Sequence, residues 1–318
     1  MKPATIRLAM LGMIPGNGHP YSWSAIINGY DPVAMADCPY PAIPVYLGAE
    51  PLESVRIHGA QVTHIWTDNP CDAPRVARAS RIPNVVDRME DVIGHVDAVI
   101  IATDDGTDHV RRARPFVEAN LPVFVDKPLA TTREELAQFI AWRNRGARIL
   151  SSSGLRYAPA FRSLRGQKWR WITFSCIKKW ETYGIHAVEP VYTVLGPGFV
   201  EARGEQIGNT TMVHLTHQSG TLFTVAVLDE AAKSFGVAHA YGATEHRVAV
   251  QNDPYLSFRN QLLAVIDWIR TGIDPYPFDQ TIELMAAIIA GSESLATGGK
   301  PVAIRPIIES VNEMAKGY

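Results

Sequence analysis

A chain of 318 residues with 47% hydrophobic side chains exceeds the usual size of one domain and can bury two ordinary cores. The 30 Lys and Arg against 32 Asp and Glu leave a formal charge of -2 without a run of like charge, which excludes a basic nucleic-acid or membrane footprint and fits a small, roughly neutral ligand. Cys38, Cys71 and Cys176 are far apart, which suggests neither a zinc site nor a disulfide framework. The first apolar stretch, residues 6–14, is too short to span a bilayer, contains Arg7 and precedes no leader cleavage pattern, so a cytoplasmic protein is expected.

Residues 5–11 form an apolar run ending at Gly12, as a buried parallel strand delivered into a turn would. A helix follows, with Pro20 in its first turn, Trp23, Ile26, Ile27 and Tyr30 on one face, and Gly29 at its end. Five prolines between residues 32 and 59 predict an irregular insertion with at most a short helix over 52–57. Alternation then resumes: a strand over 61–67, a helix capped by Asp72, a short strand over 84–86, and a helix near 89–94. The run DAVIIA at 97–102 reads as a central strand covered on both faces, followed by a helix over 107–119 interrupted by Pro115 and a strand over 122–125. Five strands separated by helices predict a doubly wound parallel sheet, with a further helix over 134–145 and a last strand over 148–152.

Beyond residue 152 the pattern changes. The β-rich segments 169–178, 210–217 and 221–228, with a hairpin turn at 218–220, predict a mostly antiparallel sheet. Amphipathic helices over 255–271 and 279–297 are expected to pack on one side of it.

In an open α/β sheet, ligands bind beyond the carboxyl ends of the strands, so the residues that follow strands are the informative ones. Gly12, Gly16, Asn17 and Gly18 can bring backbone N–H groups to a pyrophosphate at a helix N-terminus, although the spacing is not the standard fingerprint and a plain turn explains it as well. Asp68, after the second strand, can bind ribose hydroxyls and repel a 2′-phosphate; with no Arg immediately following, it favours NAD over NADP, and a helix-entry aspartate is the alternative. Thr103 and Asp104 leave the central strand, where cofactor contacts and ordinary turn chemistry both fit. Lys127 follows the fifth strand and precedes Pro128, which places an ammonium near the crevice at the switch point.

Residues 97–129, DAVIIATDDGTDHVRRARPFVEANLPVFVDKPL, resemble the core of the Gfo/Idh/MocA family, the glucose-fructose oxidoreductase, inositol dehydrogenase and rhizopine-catabolism proteins. There this strand, helix and strand end in Glu-Lys-Pro; here they end in Asp126-Lys127-Pro128. The resemblance continues through Gly154-Leu-Arg156-Tyr157-Ala-Pro159-Ala-Phe161, the crossover into a second domain, and Gly184-Ile-His186-Ala-Val-Glu189, where the family has its active-site histidine. The family's aspartate four residues before that histidine is replaced by Thr182, which leaves Glu189 or Glu181 as a substitute orienting carboxylate.

The resemblance implies a Rossmann domain over residues 1–128, with the Pro-rich insertion at about 31–60, and a substrate-binding and oligomerisation α+β domain over 129–318 with a large, mostly antiparallel open sheet, 129–152 bridging the two. It also implies NAD or NADP as cofactor, with contacts from Asp126, Lys127, Pro128 and Arg156 and with His109 as a structural neighbour. A small polyhydroxy substrate is expected beside Lys127, Tyr157, Thr182, Tyr183, His186 and Glu189, in a homodimer or homotetramer. His19, Trp23 and, less specifically, Tyr21 and Trp180 are aromatic candidates for stacking on sugar C–H faces, with core packing as the alternative.

The chemistry agrees with that family. Hydride transfer from a carbinol carbon needs a base for the hydroxyl proton, a task suited to the ordinary pKa of histidine, and His186 is the candidate; Lys127 is the cation that stabilises a developing alkoxide. Two rivals stay open: a lyase or hydrolase that retains its cofactor and uses transient oxidation, and a non-catalytic sensor of dinucleotide or sugar.

Overall fold

The computed structural model describes residues 5–228 and 235–318. The chain divides into two units, one of residues 1–126, 142–151 and 253–275, the other of residues 127–141, 152–252 and 276–318. No helix among the described residues is long and apolar enough to cross a membrane.

The first unit opens with β1 (Ile6–Leu11) and α1 (His19–Asn28). The Pro-rich stretch that follows is more regular than its composition suggests, forming α2 (Pro32–Met35), α3 (Ala42–Gly48) and a 3-10 turn (Leu52–Ser54). Proline here starts helices instead of breaking them. Pro32 takes the first position, where no N–H is needed, and Asp31 caps it by accepting from the Val33 and Ala34 N–H groups. Met35, Ile43 and Leu47 are buried, so the segment belongs to the core.

Next come β2 (Ala60–Trp66), α4 (Asp72–Ala79), β3 (Asn84–Val85), a 3-10 turn (Met89–Val92), β4 (Ala98–Ile101), α5 (His109–Glu118), β5 (Val123–Val125), α6 (Arg133–Asn144) and β6 (Ile149–Ser151). The helix α5 runs on through Pro115. The six strands lie parallel in the order β3-β2-β1-β4-β5-β6, and every residue of β4 and β5 is buried, as a strand covered on both faces requires. The order reverses between β1 and β4, which marks the switch point of a doubly wound sheet.

The second unit has β7 (Trp169–Cys176), α7 (Trp180–Tyr183), α8 (Ile185–Leu195), β8 (Phe199–Ile207), β9 (Thr210–His217), β10 (Leu222–Val227), β11 (Val237–Gly242) and β12 (His246–Val250). After α9 (Pro254–Thr271), it closes with α10 (Phe278–Ala296), β13 (Val302–Ala303) and α11 (Ile304–Ala315). Its sheet has the order β12-β11-β7-β10-β9-β8-β13 and is antiparallel except for the β7–β10 pair. The hairpin between β9 and β10 turns at 218–220, as the sequence indicates.

One helix departs from its expected place. Of the two C-terminal helices expected on this sheet, α10 packs against β8 and β9, whereas α9 belongs to the first unit and packs on α1 and α3. Amphipathic periodicity identifies a buried face without identifying what covers it.

The packing of α10 on α7 is close enough to require glycine. A Cβ on Gly291 would lie 2.5 to 2.7 Å from the Trp180 indole, whose Nε1–H donates to Ile288 O at 2.9 Å. Gly291→Ala is therefore expected to destabilise the protein by about 1–3 kcal/mol, despite the roughly 1 kcal/mol helix preference of alanine. Urea unfolding of the two proteins checks this; an Ala variant as stable as the parent would mean the indole can shift freely.

Candidate active site

In the first unit, β1 runs into a turn where Gly12 has φ +89° and where a Cβ would stand 2.7 Å from Thr103 Cγ2. Only glycine lets these two strand ends approach so closely. Gly16 also has positive φ, and a Cβ on Gly18 would meet the Tyr40 ring at 2.7 Å. Beside this turn a cleft of about 290 Å³ is lined by Met13, Ile14, Tyr40, Asp68 and Asn69. It lies beyond the carboxyl ends of β1 and β2, where a doubly wound sheet takes a dinucleotide.

Several of the expected cofactor contacts are committed elsewhere. The N–H groups of Met13, Asn17 and His19 donate to Asp68 Oδ2, Ile14 O and Asn17 Oδ1, and Pro20 has none, so the start of α1 offers fewer donors to a pyrophosphate than the sequence suggests. The Asn17 side chain points inward, its Nδ2 donating to Ala102 O at 3.1 Å and Asp126 Oδ2 at 3.3 Å. Asp126 is fully buried and pairs with His19 Nδ1 at 2.7 Å. His109 is likewise interior, its Nε2 2.8 Å from Thr103 O. Trp23 is a core residue stacked on His19, with ring centroids 4.2 Å apart. Each of these polar groups satisfies a buried partner first, because an unmet hydrogen bond there is costly.

Asp68 has a cation beside it that is remote in sequence. No arginine follows it in sequence, but Arg112 of α5 reaches it at 2.5 Å, also binds Asp108 at 2.6 Å, and lies over the Trp66 ring. Thr103 and Asp104 follow β4 as expected and are both buried.

The second unit holds the densest chemistry. Lys127, 2% exposed, follows Asp126 through the chain and precedes a cis peptide bond to Pro128. Its Nζ lies 5.0 Å from the centre of the Tyr183 ring, and Lys178 Nζ lies 4.2 Å from the same ring. A ring face of this kind attracts cations through its quadrupole. Tyr183 in turn meets the His186 imidazole edge to face at 5.0 Å, and Phe235 meets it at 5.1 Å. Cys176, at the end of β7, donates from Sγ to Tyr183 O at 3.0 Å, and burial pushes its thiol up to about 12. Lys127 and His186 thus share one aromatic neighbour, although Lys127 groups with the second unit and not with the first as the sequence suggests.

His186 and Glu189, three residues apart on α8, both bind Ser153. The Ser153 Oγ lies 2.7 Å from His186 Nδ1, and the Ser153 N–H donates to Glu189 Oε2 at 2.6 Å. Glu189 is therefore not the carboxylate that orients His186. Its other oxygen accepts from Arg156 at 3.3 Å, and its carboxyl is pushed up to about 7 by burial, against the opposing pull of Arg156 and the Ser153 N–H. Arg156 also donates to Gln280 at 2.5 Å and lies 3.5 Å over the Tyr276 ring, within the same unit. Tyr157 is largely buried, which pushes its hydroxyl up to about 12. Thr182 is half-buried and Glu181 exposed, and no orienting contact from either reaches His186.

Ser153, Lys178, Phe235, Tyr276 and Gln280 are absent from the sequence-based candidates. Ser153 alone left a signal: it follows the last strand of the first sheet and precedes Gly154, the position of a helix cap.

The profile described as oxidoreductase family, NAD-binding Rossmann fold (GFO_IDH_MocA) matches residues 45–152. No protein of curated function matches the chain by sequence. Among solved structures, the apo scyllo-inositol dehydrogenase of Lactobacillus casei aligns with TM-score 0.74 at 12% identity, covering 96% of this chain and 100% of that one. An oxidoreductase of Agrobacterium radiobacter in complex with NAD+, L-tartaric acid and magnesium aligns with TM-score 0.72 at 15% identity, covering 96% and 100%. The myo-inositol dehydrogenase of Lactobacillus casei in complex with NAD(H) and myo-inositol aligns with TM-score 0.72 at 14% identity, covering 94% and 97%. At these identities the likeness is one of fold, and it extends over both units. Residues 45–152 thus match the NAD-binding Rossmann-fold domain of the Gfo/Idh/MocA oxidoreductase family, and the rest of the chain is similar to such dehydrogenases in fold.

Proposed function

We propose that the protein interconverts a secondary alcohol and a ketone on a sugar, an inositol or a related polyol, with NAD(P) as the hydride carrier. The observation that carries this reading is the pairing of Lys127 and His186 on the Tyr183 ring, in a chain whose first unit is an NAD-binding domain. The inositol dehydrogenases of the same fold, one holding NAD(H) and myo-inositol, support the substrate class.

The cofactor, when bound, accepts the hydride from the carbinol carbon. Everything else falls to the chain. Lys127 Nζ supplies positive charge to the oxygen and exchanges the proton that leaves or joins it, while His186 provides a second hydrogen bond to that oxygen. Tyr183 and Phe235 offer apolar surface for a sugar C–H face. The cleft beside Asp68 is the place for the nucleotide end, and the Asp68 carboxylate favours the free ribose of NAD over a 2′-phosphate. We assign self-association, as a homodimer or homotetramer, to the exposed sheet face that carries Trp171, Leu222, Val248 and Val250.

The test is a fluorescence titration with NADH and NADPH, followed by assays with NAD+ and NADP+ on inositols, sugars and sugar acids. NADH formation on a polyol, faster with NAD+ than with NADP+, is the expected result. Consumption of a sugar without NADH accumulation would indicate a cofactor-retaining lyase or hydrolase instead. Dinucleotide binding with no turnover on any polyol would favour a sensor.

A further inference from the structure

We propose that Ser153 holds neutral His186 as the tautomer with its proton on Nε2, so that the imidazole donates a hydrogen bond to the substrate oxygen and the exchanged proton moves through Lys127 Nζ. The tautomer follows from Ser153 alone; the role assigned to it rests on the function proposed above.

Ser153 caps the 3-10 helix Gly154–Tyr157, its Oγ accepting from the Leu155 N–H at 3.1 Å. A backbone N–H can only donate, so one lone pair of the hydroxyl is taken. Ser153 is fully buried, and among the described residues the remaining partner of its Oγ is His186 Nδ1 at 2.7 Å. If Nδ1 carried a proton, the two N–H groups would both point at Oγ and the serine O–H would be left without an acceptor in the interior. The satisfied arrangement has the serine O–H donating to Nδ1. A neutral imidazole then carries its proton on Nε2.

A carboxylate at the same place would select the opposite tautomer, because it only accepts. Glu189, the nearest carboxylate on α8, is held by the Ser153 N–H and Arg156 and does not contact Nδ1. Replacing an orienting acid with a hydroxyl therefore changes which ring nitrogen has a lone pair. In the reducing direction the hydride forms the new C–H bond, the C=O π pair moves onto oxygen, and that oxygen takes a proton from Lys127 Nζ while the Nε2–H of His186 holds it. Oxidation reverses each step. Ser153 touches no reacting atom and is a positioning residue.

Long-range proton–nitrogen NMR on the full chain, labelled with nitrogen-15 histidine at a pH where the ring is neutral, reads the tautomer directly. His186→Gln assigns the signal among the 10 histidines. The expected spectrum has an unprotonated Nδ1 and a protonated Nε2; a protonated Nδ1 in the parent overturns the proposal. Ser153→Ala should shift the Nδ1 resonance and lower kcat by roughly 10- to 100-fold with a smaller change in KM, as loss of an orienting partner does. Ser153→Thr, which keeps the hydroxyl, should restore both. Unchanged kcat in the alanine variant would overturn the positioning role. Failure of the parent to oxidise any polyol would count against the proposed function, while the spectrum still decides the tautomer.

Discussion

Lys127→Met is expected to lower turnover by about 10²- to 10⁴-fold, the range that a positioned proton-transfer group or charge-stabilising group supplies, while NADH binding is retained. Stability should not follow activity. Lys127 is 2% exposed, so the folded protein buries its stem among neighbours that include the Tyr183 ring. Burying an ammonium costs several kcal/mol of hydration before its partners repay it, and an apolar side chain of similar length avoids that cost. Methionine should therefore leave the unfolding midpoint unchanged or raised. Nicotinamide fluorescence, steady-state kinetics and urea unfolding on one preparation separate the three outcomes. Equal turnover in Lys127→Met and the parent would remove Lys127 from the reaction, and a collapse in stability would show that its ammonium serves the fold.

The largest effect on stability is expected from Arg156→Ala, and it should depend on pH. At pH 8 the variant leaves the Glu189 carboxylate charged, fully buried and without its cation, a loss of about 3–5 kcal/mol for a broken interior pair. At pH 5 the same carboxyl binds a proton, and the loss should shrink towards what Arg156 contributes by packing on Tyr276 and binding Gln280. The sign follows from linkage. Burial raises the folded Glu189 carboxyl from its ordinary 4.5 to about 7, so its contribution to stability is fully present below 4.5 and declines as pH rises through about 7. The parent should show that decline in mild form, and the variant more steeply because only the Ser153 N–H then opposes the burial. Urea midpoints at pH 5 and pH 8 for both proteins test this. An equal loss at the two pH values would mean that Glu189 is ionised throughout, with Arg156 outweighing the cost of burial.

Much of the first unit could be read from the residues. The run at 97–102 and the three residues of β5 are apolar because both faces of a central parallel strand are covered, and such a run is visible without any partner. The helices α1, α9 and α10 were legible from their periodicity, and Lys127 from its place after a strand. The segment over 32–59 misled because proline has two meanings: inside a helix it breaks the ladder, at the first position it starts one, and composition does not distinguish them.

The sequence by itself located the strands of the first sheet and the helices between them outside residues 32–59, and singled out Lys127 and His186 as the candidates for the chemistry. The tertiary structure alone decided that α9 joins α1 and α3, that Arg112 reaches Asp68 across 44 residues, and that Ser153 rather than a carboxylate meets His186 across 33. Periodicity records how a residue relates to its own element, through a burial pattern repeated every two or 3.6 residues. A hydrogen bond between distant side chains leaves no such repeat, because it depends on where the backbone carries both ends and on which other buried groups have already claimed them.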